Sequence, residues 1–401
     1  MCFSSAVRHE VSETLRTSMS STGVQPLVIE DLQLANNREK FVTIFEQTFN
    51  ASVAEAFSPI RAQDSVSSPR SSESKIQASP SSSFERRVIE VIDGDSFGRK
   101  KAFSVDFVES CLERSRPQRL TPRSIISTES ASSGRHLIIL LHGFQGSSWD
   151  MRTFKNHMAI IFPNSVYLTP TCNEGLTEGD IGAMGSRVAD EIDKFIQSSF
   201  PYLDDLARIS VVAHSLGGVI FRTAMKDESL NKYKHKFYTF FSLGSPHCGF
   251  IYNPSVLLNT GIWVLRKWSK STCLDQLSLC DDPDPERTFL FKLSQTPCLE
   301  YFVNVLLVAS PADKYAPYHS ARIEMNEQAS KDKKLGSYYS KMVHNLLEPL
   351  GRKVNFTRFD VCFLDSKFNL DKFIGRASHI YFLDQPLYIL MFLVVYKNYF
   401  A

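Results

Sequence analysis

A serine between an apolar run and a pair of glycines is the strongest chemical signal in the sequence. The segment VVAHSLGG covers residues 211–218, so Ser215 follows a predicted strand and precedes a predicted helix. A nucleophile elbow needs this layout, because small neighbours let the strand and the helix approach closely and expose the serine hydroxyl. Ala213 stands where the usual G-x-S-x-G pattern has its first glycine. The spacing predicts that Ser215 is the nucleophile of an acyl-transfer reaction.

A glycine-rich turn lies upstream of the serine, directly after the apolar run HLIILL of residues 136–141. Its sequence is HGFQGS, residues 142–147. Acyl transfer builds negative charge on a carbonyl oxygen, which a pair of backbone N–H groups can stabilise. The expected pair is Leu216, the residue after the nucleophile, and Phe144 of this turn, with Gln145 as the alternative to Phe144.

The other two members of a triad should follow in the order acid, then base. Asp313 comes just after an apolar strand predicted over residues 301–309, which places it at the carboxyl edge of the sheet. Asp360 ends a later predicted strand and is the second candidate for the acid. For the base we favour His379, which follows a predicted loop of small residues, over His344, which lies within a helical pattern.

A cysteine offers a different nucleophile. Cys248 follows a predicted strand, in the segment GSPHCG of residues 244–249, but it has no elbow and no oxyanion motif of its own. The histidine and cysteine of this segment are not spaced like metal ligands, and the proposed chemistry requires neither a metal nor an organic cofactor.

Predicted strands and helices alternate from residue 134 onward, and this arrangement can bring the candidate site residues together at one edge of a sheet. The continuous apolar run at residues 136–141 is typical of a strand buried on both faces, and further strands are predicted at residues 208–213 and 236–243. Amphipathic segments at residues 149–161, 182–200 and 216–226 separate them. This alternation predicts an α/β fold with a doubly wound, mostly parallel sheet over residues 134–401.

The first 133 residues have a different character. Ten of the nineteen residues from Ser65 to Ser83 are serine, which indicates a disordered linker. A second polar stretch covers residues 114–134. Before the linkers, apolar residues recur near helical spacing and predict one helix; they are Phe41, Ile44, Phe45, Phe49, Val53, Ala56 and Phe57. We therefore assign residues 1–133 to a largely disordered N-terminal region.

Composition limits the partners. The chain has 401 residues, 43% of them hydrophobic, and its net charge is only +2. Such a chain can bury a sizeable core, and it lacks the basic excess that phosphate-backbone binding requires, so we expect no nucleic-acid partner. No apolar signal segment opens the sequence, and a cytoplasmic location is expected.

Six collinear segments together resemble the α/β-hydrolase superfamily. More narrowly they resemble a lipase-like family of putative serine esterases, a domain of unknown function that includes yeast lipase-like proteins and a group of large animal proteins. The segments are LIILLHGFQGSSWDMR, GDIGAMGSRVADEI, VVAHSLGGVIFR, FFSLGSPHCG, VLLVASPADKYAPYHSARIE and FIGRASHI. The resemblance implies a serine hydrolase of lipid or other carboxylic esters, and it assigns the nucleophile to Ser215, the acid to Asp313 and the base to His379. A non-catalytic module with the same fold, and an acyltransferase or thioesterase with the same triad, are the alternatives.

An insertion at about residues 250–297 interrupts the alternation and is expected to cap the carboxyl edge of the sheet. Its apolar residues include two tryptophans, Trp263 and Trp268, and the basic residues Arg266, Lys267 and Lys270 flank them. An amphipathic helix of this kind is predicted to line a pocket for an acyl chain and to make peripheral contact with a membrane.

Overall fold

The computed structural model describes residues 40–49, 84–91, 134–252, 271–351, 353–365 and 371–401. The serine-rich linker predicted from the sequence lies outside these ranges. So do Trp263 and Trp268, together with most of the first half of the predicted cap.

One eight-stranded sheet organises the described residues. Its strands run in the spatial order β2-β1-β8-β7-β6-β5-β3-β4. Strands β3 to β8 are parallel, whereas β1 is antiparallel to both of its neighbours, β2 and β8. The strands are β1 Lys40–Phe49, β2 Phe84–Val91, β3 Arg135–Leu141, β4 Val166–Leu168, β5 Leu206–His214, β6 Phe237–Leu243, β7 Asn304–Ala309 and β8 Asn355–Asp365.

Helices cover both faces of this sheet. The α-helices are α1 Arg152–Ile161, α2 Ile181–Ser199, α3 Leu216–Ala224, α4 Thr272–Leu277, α5 Phe289–Ser294, α6 Tyr318–Arg322, α7 Glu327–Lys331, α8 Gly336–Leu347, α9 Asp371–Asp384 and α10 Pro386–Val395. Shorter 3₁₀ helices are Ser148–Met151, Leu203–Asp205, Glu228–Lys236, Pro285–Arg287, Leu299–Tyr301, Glu348–Leu350 and Lys397–Tyr399.

Two apolar cores, one on each face, hold the layers together. Helices α2, α3 and α8 pack in the larger core, on the face that receives Ile139 of β3 and Val211 of β5. Helices α1, α9 and α10 pack in the other, with Ile138 of β3 and Val212 of β5. Successive residues of one strand point to opposite faces, so strands between two helical layers must be apolar throughout. The doubly wound, mostly parallel sheet predicted from the strand–helix alternation is confirmed.

The helix predicted over residues 41–57 is wrong for its first half. Residues 40–49 form β1, which pairs along its whole length with β8 and from Val42 to Phe49 with β2. Ile44 and Glu46, two positions apart, are both buried, and Tyr396 donates to the Glu46 carboxylate at 3.1 Å. The β-branched run from Val42 to Ile44 suits an extended strand, and the open edge of β8 supplies the hydrogen bonds. The spacing of the aromatic residues alone favours a helix, but pairing with β8 makes residues 40–49 a strand.

The described part of the predicted cap contains two short α-helices. Helices α4 and α5 lie within it, and α4 is bonded to the start of α2, with the Ile181 amide donating to the Gln276 side chain at 2.9 Å.

Among the described residues, no single helix is long and apolar enough to cross a membrane. The bent pair Ser378–Asp384 and Tyr388–Val395, at an angle of 67°, meets the length and composition requirement only when its two parts are taken together.

Candidate active site

Ser215 lies at a strained turn between β5 and α3. Its backbone has φ 55° and ψ −128°, a conformation that residues with a side chain rarely adopt. The Ser215 amide donates to the Leu243 carbonyl on the neighbouring strand β6 at 2.9 Å, which holds the turn in place. Ser215 is partly exposed, whereas His214 and Leu216 on either side are buried. The turn therefore presents the serine hydroxyl and hides its neighbours, as the elbow pattern predicts.

Two glycines let three backbone segments meet at this turn. A Cβ on Gly217 would lie 2.7 Å from the His142 carbonyl oxygen, so only glycine lets α3 begin this close to the end of β3. A Cβ on Gly143 would lie 2.6 Å from Cβ of Ser215. The glycine-rich turn after β3, residues 142–147, is therefore packed directly against the serine. We call these residues the oxyanion loop.

The residues expected to supply the two backbone donors lie in the oxyanion loop and at the start of α3. Leu216 is the first residue of α3, where an N–H group has no carbonyl partner within the helix. The Gln145 amide donates to Oγ1 of Thr177 at 2.7 Å. Because the Gln145 N–H is already engaged, the structure favours Phe144 over Gln145 as the second donor.

Asp313 and His379 form a buried pair. Nδ1 of His379 lies 2.6 Å from Oδ2 of Asp313, and each residue is 8% exposed. The other carboxylate oxygen of Asp313 accepts from the backbone N–H groups of Tyr315 at 2.8 Å and Ala316 at 3.1 Å. These two donors fix the orientation of the carboxylate, so its second oxygen is directed at the histidine. Asp313 follows β7 at the carboxyl edge of the sheet, the same edge as Ser215.

Two residues that sequence reasoning did not assign to the site contact His379. Nε2 of His214 donates to the main-chain carbonyl of His379 at 3.0 Å, and the two imidazole rings lie 4.7 Å apart. Burial lowers the pKa of His214 to about 3, so its imidazole is neutral. The Tyr315 ring lies 5.5 Å from that of His379. The only sequence signal for His214 is its position next to Ser215.

The rival residues are placed elsewhere or are chemically unsuited. Asp360 forms an ion pair with Nη1 of the buried Arg322. His344 is exposed on α8. Burial raises the pKa of the Cys248 thiol to about 12, so this cysteine is held as an unreactive thiol. Of the alternatives left open by the sequence, the structure therefore favours Asp313 and His379.

His379 lies in a helix, not after a loop. Helix α9 covers Asp371–Asp384 and includes the small residues that predicted a loop, among them Gly375 and Ser378. Packing supplies the stability that those residues lack, because Phe382 and Leu383 of α9 are buried in one of the two cores. The two residues predicted to line the pocket, Trp263 and Trp268, lie outside the described residues.

Within the part of the chain that the structure describes, no three or more histidine, cysteine, aspartate or glutamate side chains are grouped to hold a metal ion.

A model of a protein family matches residues 131–329, about half of the chain. The family is described as putative serine esterase (DUF676). The match includes the oxyanion loop, the elbow and Asp313, and it ends before His379.

Solved structures resemble the fold at low sequence identity. The product of the lin2722 gene of Listeria innocua is 10% identical, with a TM-score of 0.38, over 66% of this chain and 94% of that one. A lipase-esterase related protein of Clostridium acetobutylicum is 11% identical, with a TM-score of 0.33, over 67% and 96% of the two chains. Lipase B of Aspergillus fumigatus is 15% identical, with a TM-score of 0.35, over 68% and 66%.

Proposed function

Because the chain belongs to the putative serine esterase family (DUF676), we propose that it hydrolyses carboxylic esters, and esters of lipids in particular, through a triad of Ser215, Asp313 and His379. One observation carries this proposal. The Asp313–His379 pair, with its 2.6 Å contact, lies against the elbow that presents Ser215, since the ring of His214 packs on that of His379. A nucleophile, an imidazole base and a buried carboxylate that orients the base are the parts that acyl transfer needs.

In the first half-reaction, Ser215 Oγ attacks the ester carbonyl carbon and gives its proton to Nε2 of His379. Asp313 accepts the hydrogen bond from Nδ1–H, which fixes the imidazole tautomer and stabilises the imidazolium that forms. The carbonyl oxygen becomes an oxyanion and accepts hydrogen bonds from the N–H groups of Leu216 and Phe144. When the tetrahedral intermediate collapses, the C–O bond to the alcohol breaks and His379 returns the proton to the departing alcohol.

The second half-reaction repeats these steps with water. His379 takes a proton from water, the hydroxide attacks the acyl carbon bound to Ser215, and the same two N–H groups stabilise the second oxyanion. The carboxylic acid leaves as Ser215 regains its proton. Ester and water are thereby converted to acid and alcohol, and every proton transfer runs through His379.

A fluorophosphonate probe separates this enzyme from a non-catalytic module of the same fold. The probe should label the wild-type protein, and the label should be lost in Ser215→Ala while the melting temperature stays within a few degrees. Absence of labelling in folded wild-type protein would contradict the proposal. A turnover screen over short-chain esters, monoacylglycerols, phospholipids and thioesters then identifies the substrate class. Preference for a thioester, or transfer of the acyl group to an alcohol rather than to water, would favour the thioesterase or acyltransferase alternative.

The cap proposal concerns the two tryptophans. Replacing Trp263 and Trp268 together by serine should lower turnover of long-chain or vesicle-bound esters more than turnover of a soluble short-chain ester. Equal loss on both substrates, or no loss on either, would contradict a role for the cap in acyl-chain or membrane contact.

A further inference from the structure

The loop between β4 and α2 is bonded to the oxyanion loop at two points and, at a third, to Ser148, the residue that follows the oxyanion loop. Gln145 contributes two of them, because its amide donates to Oγ1 of Thr177 at 2.7 Å and its side chain donates to Oε1 of Glu178 at 2.5 Å. The third runs from the Ser148 amide to the carboxylate of Glu174 at 2.8 Å. We call residues 171–180 the bracing loop. Of its three bonding residues, Thr177 is the most deeply buried, at 2% exposure.

Gln145 is the point at which the oxyanion loop needs support. Its φ is 54°, in the left-handed region that a residue with a side chain rarely adopts. Such a conformation persists only where the surroundings impose it. Within the oxyanion loop, one hydrogen bond closes the turn, from the Gly146 amide to the Gly143 carbonyl at 3.1 Å. The bond from Gln145 to Thr177 holds the peptide between Phe144 and Gln145, in the middle of this turn, from outside.

The bracing loop is itself fixed on its other side. Ser271 and Cys273 both donate to the Glu178 carbonyl, at 3.1 Å and 3.4 Å, and the Gln276 side chain donates to Asp180 at 2.6 Å. These residues begin the second half of the predicted cap. The bracing loop is thus held between the cap segment and the oxyanion loop.

We propose that Thr177 is a positioning residue for ester hydrolysis, and this inference rests on the function proposed above. By accepting the Gln145 N–H, its hydroxyl holds Gln145 in the left-handed conformation and so keeps the preceding amide, that of Phe144, beside Ser215. Thr177 touches neither substrate nor the reacting atoms, and it acts through the oxyanion loop.

The test compares three variants on a soluble short-chain ester. Thr177→Val keeps the shape of the side chain and removes the acceptor, Thr177→Ser keeps the acceptor, and Thr288→Val is the matched control. Thr288 is also fully buried, and its hydroxyl donates to the Pro285 carbonyl at 2.7 Å, at the start of α5. Loss of one oxyanion donor lowers kcat by 10²–10³, so displacing a donor without removing it should lower kcat by about 10-fold.

We expect Thr177→Val to lower kcat by about 10-fold, with KM within twofold of wild type. Thr177→Ser should keep kcat within about twofold of wild type. Thr288→Val should have wild-type kcat even if its melting temperature falls as much as that of Thr177→Val. A Thr177→Val enzyme with wild-type kcat would overturn the inference, as would Thr177→Ser as slow as the valine variant. If Thr177→Val does not fold, Thr177→Ala takes its place with the same expected result. The variants are compared with wild-type protein that hydrolyses the ester. Wild-type protein that is inactive and is not labelled by the fluorophosphonate probe would overturn the proposed function itself.

Discussion

Replacing Gly143 by alanine should nearly abolish turnover while the protein stays folded. A Cβ at this position would lie 2.6 Å from Cβ of Ser215, 3.1 Å from the His214 carbonyl oxygen and 3.3 Å from Oγ of Ser215. Two of these three atoms belong to the nucleophile, and the third is backbone, so no flexible side chain can move aside.

The size of the effect follows from the displacement. An ordinary contact begins at 3.4 Å, so relieving the 2.6 Å contact requires the oxyanion loop and the elbow to separate by about 0.8 Å. A misplacement of about 1 Å near the reacting atoms costs on the order of 10²-fold in rate, and full loss of one oxyanion donor costs 10²–10³. We therefore expect kcat to fall by about 10²–10³. The same overpacking should cost about 1–3 kcal/mol of stability, a decrease of several degrees in melting temperature.

The assay is steady-state hydrolysis of a chromogenic short-chain ester, with the melting temperature measured on the same samples. Gly179→Ala is the matched control, because a Cβ there would meet only the Leu176 carbonyl oxygen, at an ordinary 3.4 Å. The control should keep wild-type kcat. A folded Gly143→Ala protein with kcat within threefold of wild type would refute the reasoning, because the oxyanion loop could then move away from Ser215 without consequence.

Three further predictions test the acid, the thiol and the pH dependence. Asp313→Asn should lower kcat by about 10⁴, because the histidine of the triad loses its correct tautomer. Asp360→Asn should chiefly lower the melting temperature. If kinetic and thermal measurements show the reverse pattern, Asp360 is the acid. Cys248→Ala should keep fluorophosphonate labelling, because the buried thiol has a pKa raised to about 12; a lost label in folded protein would contradict this. Burial lowers the pKa of His136 to about 3, so the unfolded chain binds a proton below pH 6.5 that the folded protein does not. The free energy of unfolding should therefore fall as pH decreases from 6.5 toward 3. In His136→Gln, the slope of the unfolding free energy against pH, measured by urea unfolding, should be smaller by roughly 1 kcal/mol per pH unit. An unchanged slope would contradict the lowered pKa of His136.

The parallel sheet and the elbow could be predicted because both depend on local sequence. Strands β3 and β5 lie between two helical layers, so most of their residues are apolar, and such runs are visible in the sequence. Ser215 follows one of these runs and precedes Gly217, whose missing side chain the structure explains by the close approach of the His142 carbonyl. The expected order of serine, acid and base along the chain then indicated Asp313 and His379 as candidates.

Features that depend on distant partners could not be predicted. Strand β1 exists because the edge of β8 offers hydrogen bonds to residues 40–49, and no periodicity within that segment reports the presence of β8. Helix α9 is stabilised by the core around Phe382 and not by its own small residues. The contact between Gln145 and Thr177 joins residues 32 positions apart through one hydroxyl, and a single threonine in a loop carries no sequence signal.

The most direct test of the triad is to trap the acyl group on the protein. Rapid acid quench during turnover of a chromogenic ester, followed by peptide mass spectrometry, should find the acyl group on the peptide that contains Ser215. The same quench should find no acyl group in Ser215→Ala, and no turnover above background. Acylation of another residue during turnover, or wild-type turnover in Ser215→Ala, would contradict the assignment of Ser215 as the nucleophile.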